Sequence, residues 1–305
     1  MHRTLFWRAS ALASVVFAWA NSDALAHGFA GNRFFPATIL TDDPFVADEI
    51  SLPTVTLDPT ADDGTREFDI GPDLSKRITP NLGITLGTDW VHLKSPGSPV
   101  QTGFDGLDTG LQYQLFINGP HEAMGLVGLN VNWGNVGNVR AVGAPDFTTL
   151  SPTIAFGKGF GDLPDSLPWL RPFAVTGNLS VDFPTKAESD GMPNPNNFNY
   201  GFAVEYSLEY LQHYVRDVGL KAPFDRLIPL VEFALTTPLN RGQGGMTTGT
   251  VQPGIIWAGQ YFQVGAEMII PTNNQSGHGI GGVFQLHFYL DDLFPNGIGK
   301  PMSEW

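Results

Sequence analysis

Glu205 and Glu209 stand four residues apart, Glu232 and Glu267 follow at matching positions of later segments, and His287 closes the series. Carboxylates with an imidazole can ligate a hard cation such as calcium or another oxygen-seeking metal; left wet, they form a negative lining that draws cations. Segments before these carry Glu67, Asp69, Asp73, Asp89, Asp108 and Asp182 on the same kind of face, where Arg77 is the one clear base. Amides and hydroxyls fill the intervening places, among them Gln112, Gln114, Asn130, Asn178, Gln252, Gln263 and Gln285. An unpaired carboxylate needs water, a cation or a proton. Two readings stay open: a wet acidic lining with Gln285 and His287 as further lumen residues, or acids cross-bonded as a structural network in a filled interior.

Catalytic chemistry has little to stand on. The chain has no Gly-x-Ser-x-Gly elbow, no Walker-type phosphate loop and no His-Glu-x-x-His pair. His92, with Ser95 or Ser98 after it, is the one pairing that suggests a lipid-modifying barrel of the phospholipase kind, and the strand pattern places no second member beside it. The expectation is a non-enzyme without a cofactor.

The elements that must hold these side chains are strands. From Phe173 to Phe183, positions 173, 175, 179, 181 and 183 are apolar, and the alternate positions are small or polar. Successive strand side chains point to opposite faces, so this sheet lies between two different media. The pattern recurs in twelve segments, at 49–57, 66–78, 82–93, 105–117, 124–134, 148–160, 171–183, 198–211, 227–237, 247–258, 261–271 and 280–290. Ten-residue alternating strands in even number predict an all-β fold, a transmembrane antiparallel β-barrel with the apolar parity toward lipid and the polar parity toward the lumen. Leu82, Ile84, Leu86, Trp90, Leu111, Leu115, Leu208, Met268 and Phe284 fall on the lipid side, and Phe198, Tyr200, Tyr206 and Tyr210 fall where interfacial girdles belong. Connections alternate between short, as at Thr79-Pro80-Asn81 and Gly259-Gln260, and long, as at Pro184 to Asn197. The segments Gly161 to Leu170 and Gln212 to Arg226 are long on the short-turn side, and the second is expected to hold a short helix.

Residues 1–26 read as a secretory signal: Arg3 and Arg8, an apolar run from Ala11 to Ala20, then Ala24-Leu25-Ala26 for cleavage. Residues 27–48 lack a strand period and are expected to be a periplasmic lead-in or a short plug, residues 49–290 the barrel, and residues 291–305 a periplasmic extension. The chain has no cysteine, which removes disulfides and thiolate metal sites. Taking Arg3 and Arg8 from the 16 bases and Asp23 from the 30 acids leaves 14 against 29, a balance that excludes nucleic acid as a partner. The partners expected instead are outer-membrane lipids, the barrel-assembly machinery, and a small-molecule or cation solute.

The last strand, Gly281 to Leu290, followed by Asp291-Asp292-Leu293-Phe294-Pro295, carries a resemblance that extends from about Arg66 to Pro295. Over that length the chain resembles the outer-membrane transporters associated with meta-pathway phenol degradation. The same strand is similar to the C-terminal signal by which barrels are recognised for insertion, although here the chain runs on to Trp305. The resemblance implies passive passage of small solutes, aromatic compounds among them, in the bacterial outer membrane.

Overall fold

The computed structural model describes residues 28–305; the signal expected at 1–26 lies outside them. Among the described residues, twelve antiparallel strands close into one barrel. They are β1 (Glu49–Leu57), β2 (Arg66–Thr79), β3 (Leu82–Gly87 with Trp90–Lys94), β4 (Gln101–Phe104 with Leu107–Asn118), β5 (Ala123–Trp133) and β6 (Thr149–Gly159). The second half comprises β7 (Phe173–Pro184), β8 (Asn197–Tyr206), β9 (Leu227–Pro238), β10 (Thr248–Ala258), β11 (Phe262–Pro271) and β12 (Gly281–Tyr289). Each strand pairs with its neighbour in sequence, and β12 closes on β1 with Phe288 opposite Ile50 and Val283 opposite Thr56. Closure pairs the strands all round the ring, the condition for strands in hydrocarbon, and only Gln101–Phe104, toward the long loops, pairs on one side alone.

The parity expected from sequence holds on the outside. Ile84, Leu86, Trp90, Leu111, Leu115, Ile154, Leu179, Met268 and Phe284 are all exposed large hydrophobics on the outer face. Aromatic pairs mark both rims: Phe173 with Tyr206 (4.7 Å) and Trp257 with Phe262 (5.3 Å) at the short-turn end, Trp90 with Phe104 (4.8 Å) and Phe198 with Tyr200 (5.3 Å) toward the long loops.

The expected strand 198–211 ends early, and with it two assignments change. Ser207 stops β8 because its hydroxyl accepts from the Tyr210 N–H (3.1 Å) and caps a short helix from Leu208 to Tyr210, continued as one wide turn to Val215. Glu209 therefore lies on this helix outside the lumen, its side chain 45% exposed. Tyr210, expected on the lipid face, turns inward and is 8% exposed.

The ladder is also irregular at one level of the wall. The register of β1 shifts between Ser51 and Thr54, β3 breaks at Thr88 and Asp89, and β4 breaks at Asp105 and Gly106. Asp89 thus sits in a break rather than mid-strand. Gly71 of β2 has no Cβ where one would lie 2.2 Å from an Asp89 carboxylate oxygen, so the acid still points inward.

Candidate functional site

The interior is shared between the barrel wall and residues 28–48, which run inside it. This segment starts with a two-residue hairpin, Phe29–Ala30 against Arg33–Phe34. Phe35, Ala37, Phe45 and Ala47 then bury against Met124 and Ala174 of the wall. Phe34 packs on Ile228, Leu230 and Ile256, which share the inward parity of Glu232. Near the short-turn end the inward face is therefore apolar, a feature hidden by reading the lumen as acids and amides throughout. Each buried large side chain contributes roughly 1.5–3 kcal/mol to holding the segment.

Polar clasps complete the attachment. Ile39 N–H donates to Glu232 Oε1 (2.7 Å), and Leu40 N–H (3.1 Å) and Thr41 Oγ1 (3.0 Å) donate to Glu232 Oε2. Gln263 Nε2 donates to Ala37 O (2.6 Å), Asn178 Nδ2 donates to Asp42 Oδ2 (2.9 Å), and Gln114 accepts from Val46 N–H while donating to Pro44 O. Gly201 makes the close approach possible, since a Cβ there would come 2.7 Å from Thr41 Cγ2. Burial raises the Asp42 and Asp43 carboxyls above the ordinary range; for Asp43 the nearby Glu49 adds to the rise, against which the Thr38 N–H and hydroxyl hydrogen bonds pull down.

Two ion-pair centres fix the segment's ends. Arg33, 1% exposed, donates to Glu122 (3.2 Å) and to the carbonyls of Arg171 and Pro172, and lies 3.8 Å from the Tyr210 ring centre. Tyr210 in turn donates its hydroxyl to Glu122 (2.7 Å), which explains why it leaves the lipid face. At the other end Asp48 accepts from the Arg77 backbone N–H (2.7 Å) and side-chain Nε (2.8 Å), and from Lys76 Nζ (2.6 Å). Arg77 also donates to Gly299 O and stands 3.7 Å from Asp291, so the C-terminal stretch meets the same latch. The expected inward base is thus spoken for by Asp48, and Arg33 is a second base that sequence reading missed, because it lies in a segment without a strand period.

The expected lumen residues divide into two groups. Glu205, Glu232 and Glu267, with Gln252 and Thr176, line the wall from β7 to β11 and are 0–5% exposed. Asp73, Asp89 and Asp108, on β2 to β4, point inward yet are exposed to solvent, and Glu67, Asp69 and Asp182 are half-buried. Between this second wall and the internal segment lies a cavity of about 370 Å³, bordered by Asp43, Glu49, Asp73, Asp108, Gln285 and His287. A second cavity of about 480 Å³, bordered by Leu40, Asp58, Glu67 and Gln252, opens toward the long loops.

No set combining Glu205, Glu209, Glu232, Glu267 and His287 forms a metal centre. Glu209 is outside the lumen, and His287, beside Gln263 on the strand next to β11, is engaged on its β1 side, with Nδ1 2.9 Å from Ser51 Oγ and Nε2 3.0 Å from Glu49 Oε2. Asp58, Glu67 and Asp69 are instead the carboxylates whose oxygens fall within 4.8 Å of one another, a spacing a hard cation tolerates. Burial raises the Asp58 carboxyl. The Ser95 hydroxyl is 2.8 Å from that of Thr65.

No family model matches the chain, and no curated protein matches its sequence. Among solved structures, an outer membrane channel from Pseudomonas putida F1 is similar over 84% of this chain and 99% of that one, at 10% identity and a TM-score of 0.50. KdgM porin aligns with 79% of this chain and 98% of its own (9% identity, TM-score 0.46), and NanC porin with 77% and 97% (7% identity, TM-score 0.46). At such identities the likeness is one of fold, that of the barrels found in outer-membrane porins and channels.

Proposed function

We propose that this chain is an outer-membrane channel for passive passage of small solutes, with a preference for cations. One observation carries the reading: Asp73, Asp89 and Asp108 face inward yet are wet, and Asp73 and Asp108 border space that the internal segment leaves unfilled. Ionised carboxylates confined by low-dielectric walls raise the local concentration of cations and repel anions. The apolar outer belt and its aromatic rims suit a bilayer, with the short turns toward the periplasm. In this reading residues 1–26 are an export signal, 27–48 a plug, 49–290 the barrel and 291–305 an extension at the periplasmic mouth. The final strand addresses the barrel-assembly machinery. The resemblance to phenol-pathway transporters makes aromatic compounds candidate solutes.

Reconstituted protein under a potassium chloride gradient tests this. The expected reversal potential favours potassium over chloride, and the preference weakens as the Debye length falls from about 10 Å at 0.1 M to 3 Å at 1 M salt. Joint replacement of Asp73, Asp89 and Asp108 by Asn should reduce it with the barrel intact. A pore indifferent to that replacement, or selective for anions, overturns the cation preference; absence of any conductance overturns the channel.

A further inference from the structure

Past β12 the chain crosses from the inside of the barrel to the outside over the end of β2. Successive residues of a strand face opposite ways, and here two of them hold two successive carbonyls of the crossing chain. Arg77, on the inward parity, donates to Gly299 O (3.2 Å), and Lys76, on the lipid-facing parity, donates to Lys300 O. After this crossing a single turn from Met302 to Glu304 packs against β2. Met302 is 45% exposed and Trp305 71%. The Trp305 indole N–H donates to Lys300 O (3.2 Å), and its ring centre lies 5.6 Å from Lys76 Nζ. Its one polar atom is therefore met within the crossing segment, and the surface its ring leaves open is apolar.

That surface abuts the outer belt. Lys76 follows Leu74 on the lipid parity of β2 and stands opposite Ile84 of β3. A groove of about 400 Å³ lies on this outer face, bordered by Leu74, Lys76, Ile84, Leu86, Leu111 and Leu129. Lys76 borders the groove yet carries its ammonium to Asp48 (2.6 Å) at the rim, as a lysine does at the edge of hydrocarbon. We infer that residues 301–305 form a membrane collar, with Met302 and Trp305 seated in the headgroup and carbonyl layer of the phospholipid leaflet on the short-turn side. A tryptophan ring favours that depth. Glu304, exposed on the same turn, holds the collar there, since a carboxylate is not drawn into hydrocarbon. The occupant is lipid rather than protein because the patch adjoins the belt that the bilayer already covers. The collar rests on the membrane placement proposed above and does not depend on conduction.

Depth-dependent quenching tests it on the full chain in vesicles of phosphatidylethanolamine and phosphatidylglycerol. The chain has no cysteine, so Met302→Cys, Trp305→Cys, Asn296→Cys and Leu179→Cys can each carry one nitrobenzoxadiazole label. Labels at 302 and 305 are expected to emit to the blue of the label at 296. They should also lose more emission to phospholipid brominated near the headgroup end of its chains than to phospholipid brominated near the chain tips. The label at 296, before the crossing, should be quenched by iodide present on both sides of the vesicle, and the label at 179, on the belt, by the chain-tip bromines. In unlabelled protein, the emission that the wild type has in excess of Trp305→Phe should fall with the headgroup-end bromines, which removes the label as the cause. Iodide quenching at 302 and 305 equal to that at 296 overturns the collar. Shielding that ignores both bromines, or arises only at high protein-to-lipid ratio where a neighbouring copy covers the patch, overturns it too. Chain-tip quenching at 179 without shielding at 302 and 305 rejects the collar alone, whereas no quenching at 179 rejects the membrane placement and the collar with it.

Discussion

The wall from β7 to β11 and the wall from β1 to β5 both carry inward acids and use them in opposite ways. On the first, Glu232 is 0% exposed and holds the backbone of residues 39 and 40, so the carboxylate is spent on attachment. On the second, Asp73 and Asp108 face space the internal segment does not reach. The difference is burial rather than composition: the same residue type is a structural acceptor where the segment presses on it and a source of field where water reaches it.

The largest expected effect comes from breaking the clasped side at its buried ion pair. Arg33→Ala leaves Glu122 buried without its cation, a loss of about 3–5 kcal/mol, and residues 28–48 should become cleavable by protease in folded barrels while the wild type resists. Next is the lipid face. Leu179→Arg places a charge on the outer belt at a cost of about 2–4 kcal/mol and should impair assembly, while Asn178→Arg, facing inward, should disturb the Asp42 contact and still assemble; heat-modifiable mobility on gels reads both.

A smaller change sharpens the contrast between walls. Glu232→Leu removes the acceptor from Ile39 N–H, Leu40 N–H and Thr41 at a net cost of about 1–3 kcal/mol once water meets the freed donors, and single-channel conductance should rise as the segment loosens. The gentlest lever is pH. Asp42 and Asp43 have carboxyls raised in the docked segment, so docking is strongest below the ordinary value of 3.8 and weakens as pH rises from there through their raised values. Conductance should increase from acid toward neutral pH, and a rise on acidification would contradict this assignment.

Much of this was legible in sequence because a period of two is a strong signal. The Phe173–Phe183 alternation placed β7 and its faces, and Glu232, Glu267 and Gln285 are inward as their parity requires. Glu209 failed because parity was carried past Ser207, whose helix-capping hydroxyl is a local signal competing with the period. The internal segment was not placed because its contacts, such as Arg33 with Glu122, join residues 89 apart and leave no periodic trace. Nor does parity report depth of burial. Glu205 and Asp108 read alike in sequence, and only the course of residues 28–48 separates them.

The absence of cysteine from the chain permits a direct test of the two-sided lumen. Single cysteines at Asp73 and Asp108, and at Thr176 and Glu205, can be exposed in assembled protein to a small cationic thiol reagent added from the long-loop side. The first pair should be modified rapidly, and the second slowly unless Arg33→Ala is also present. Equal rates at all four positions, or faster modification of Thr176 and Glu205, would contradict a lumen that is clasped on one wall and wet on the other.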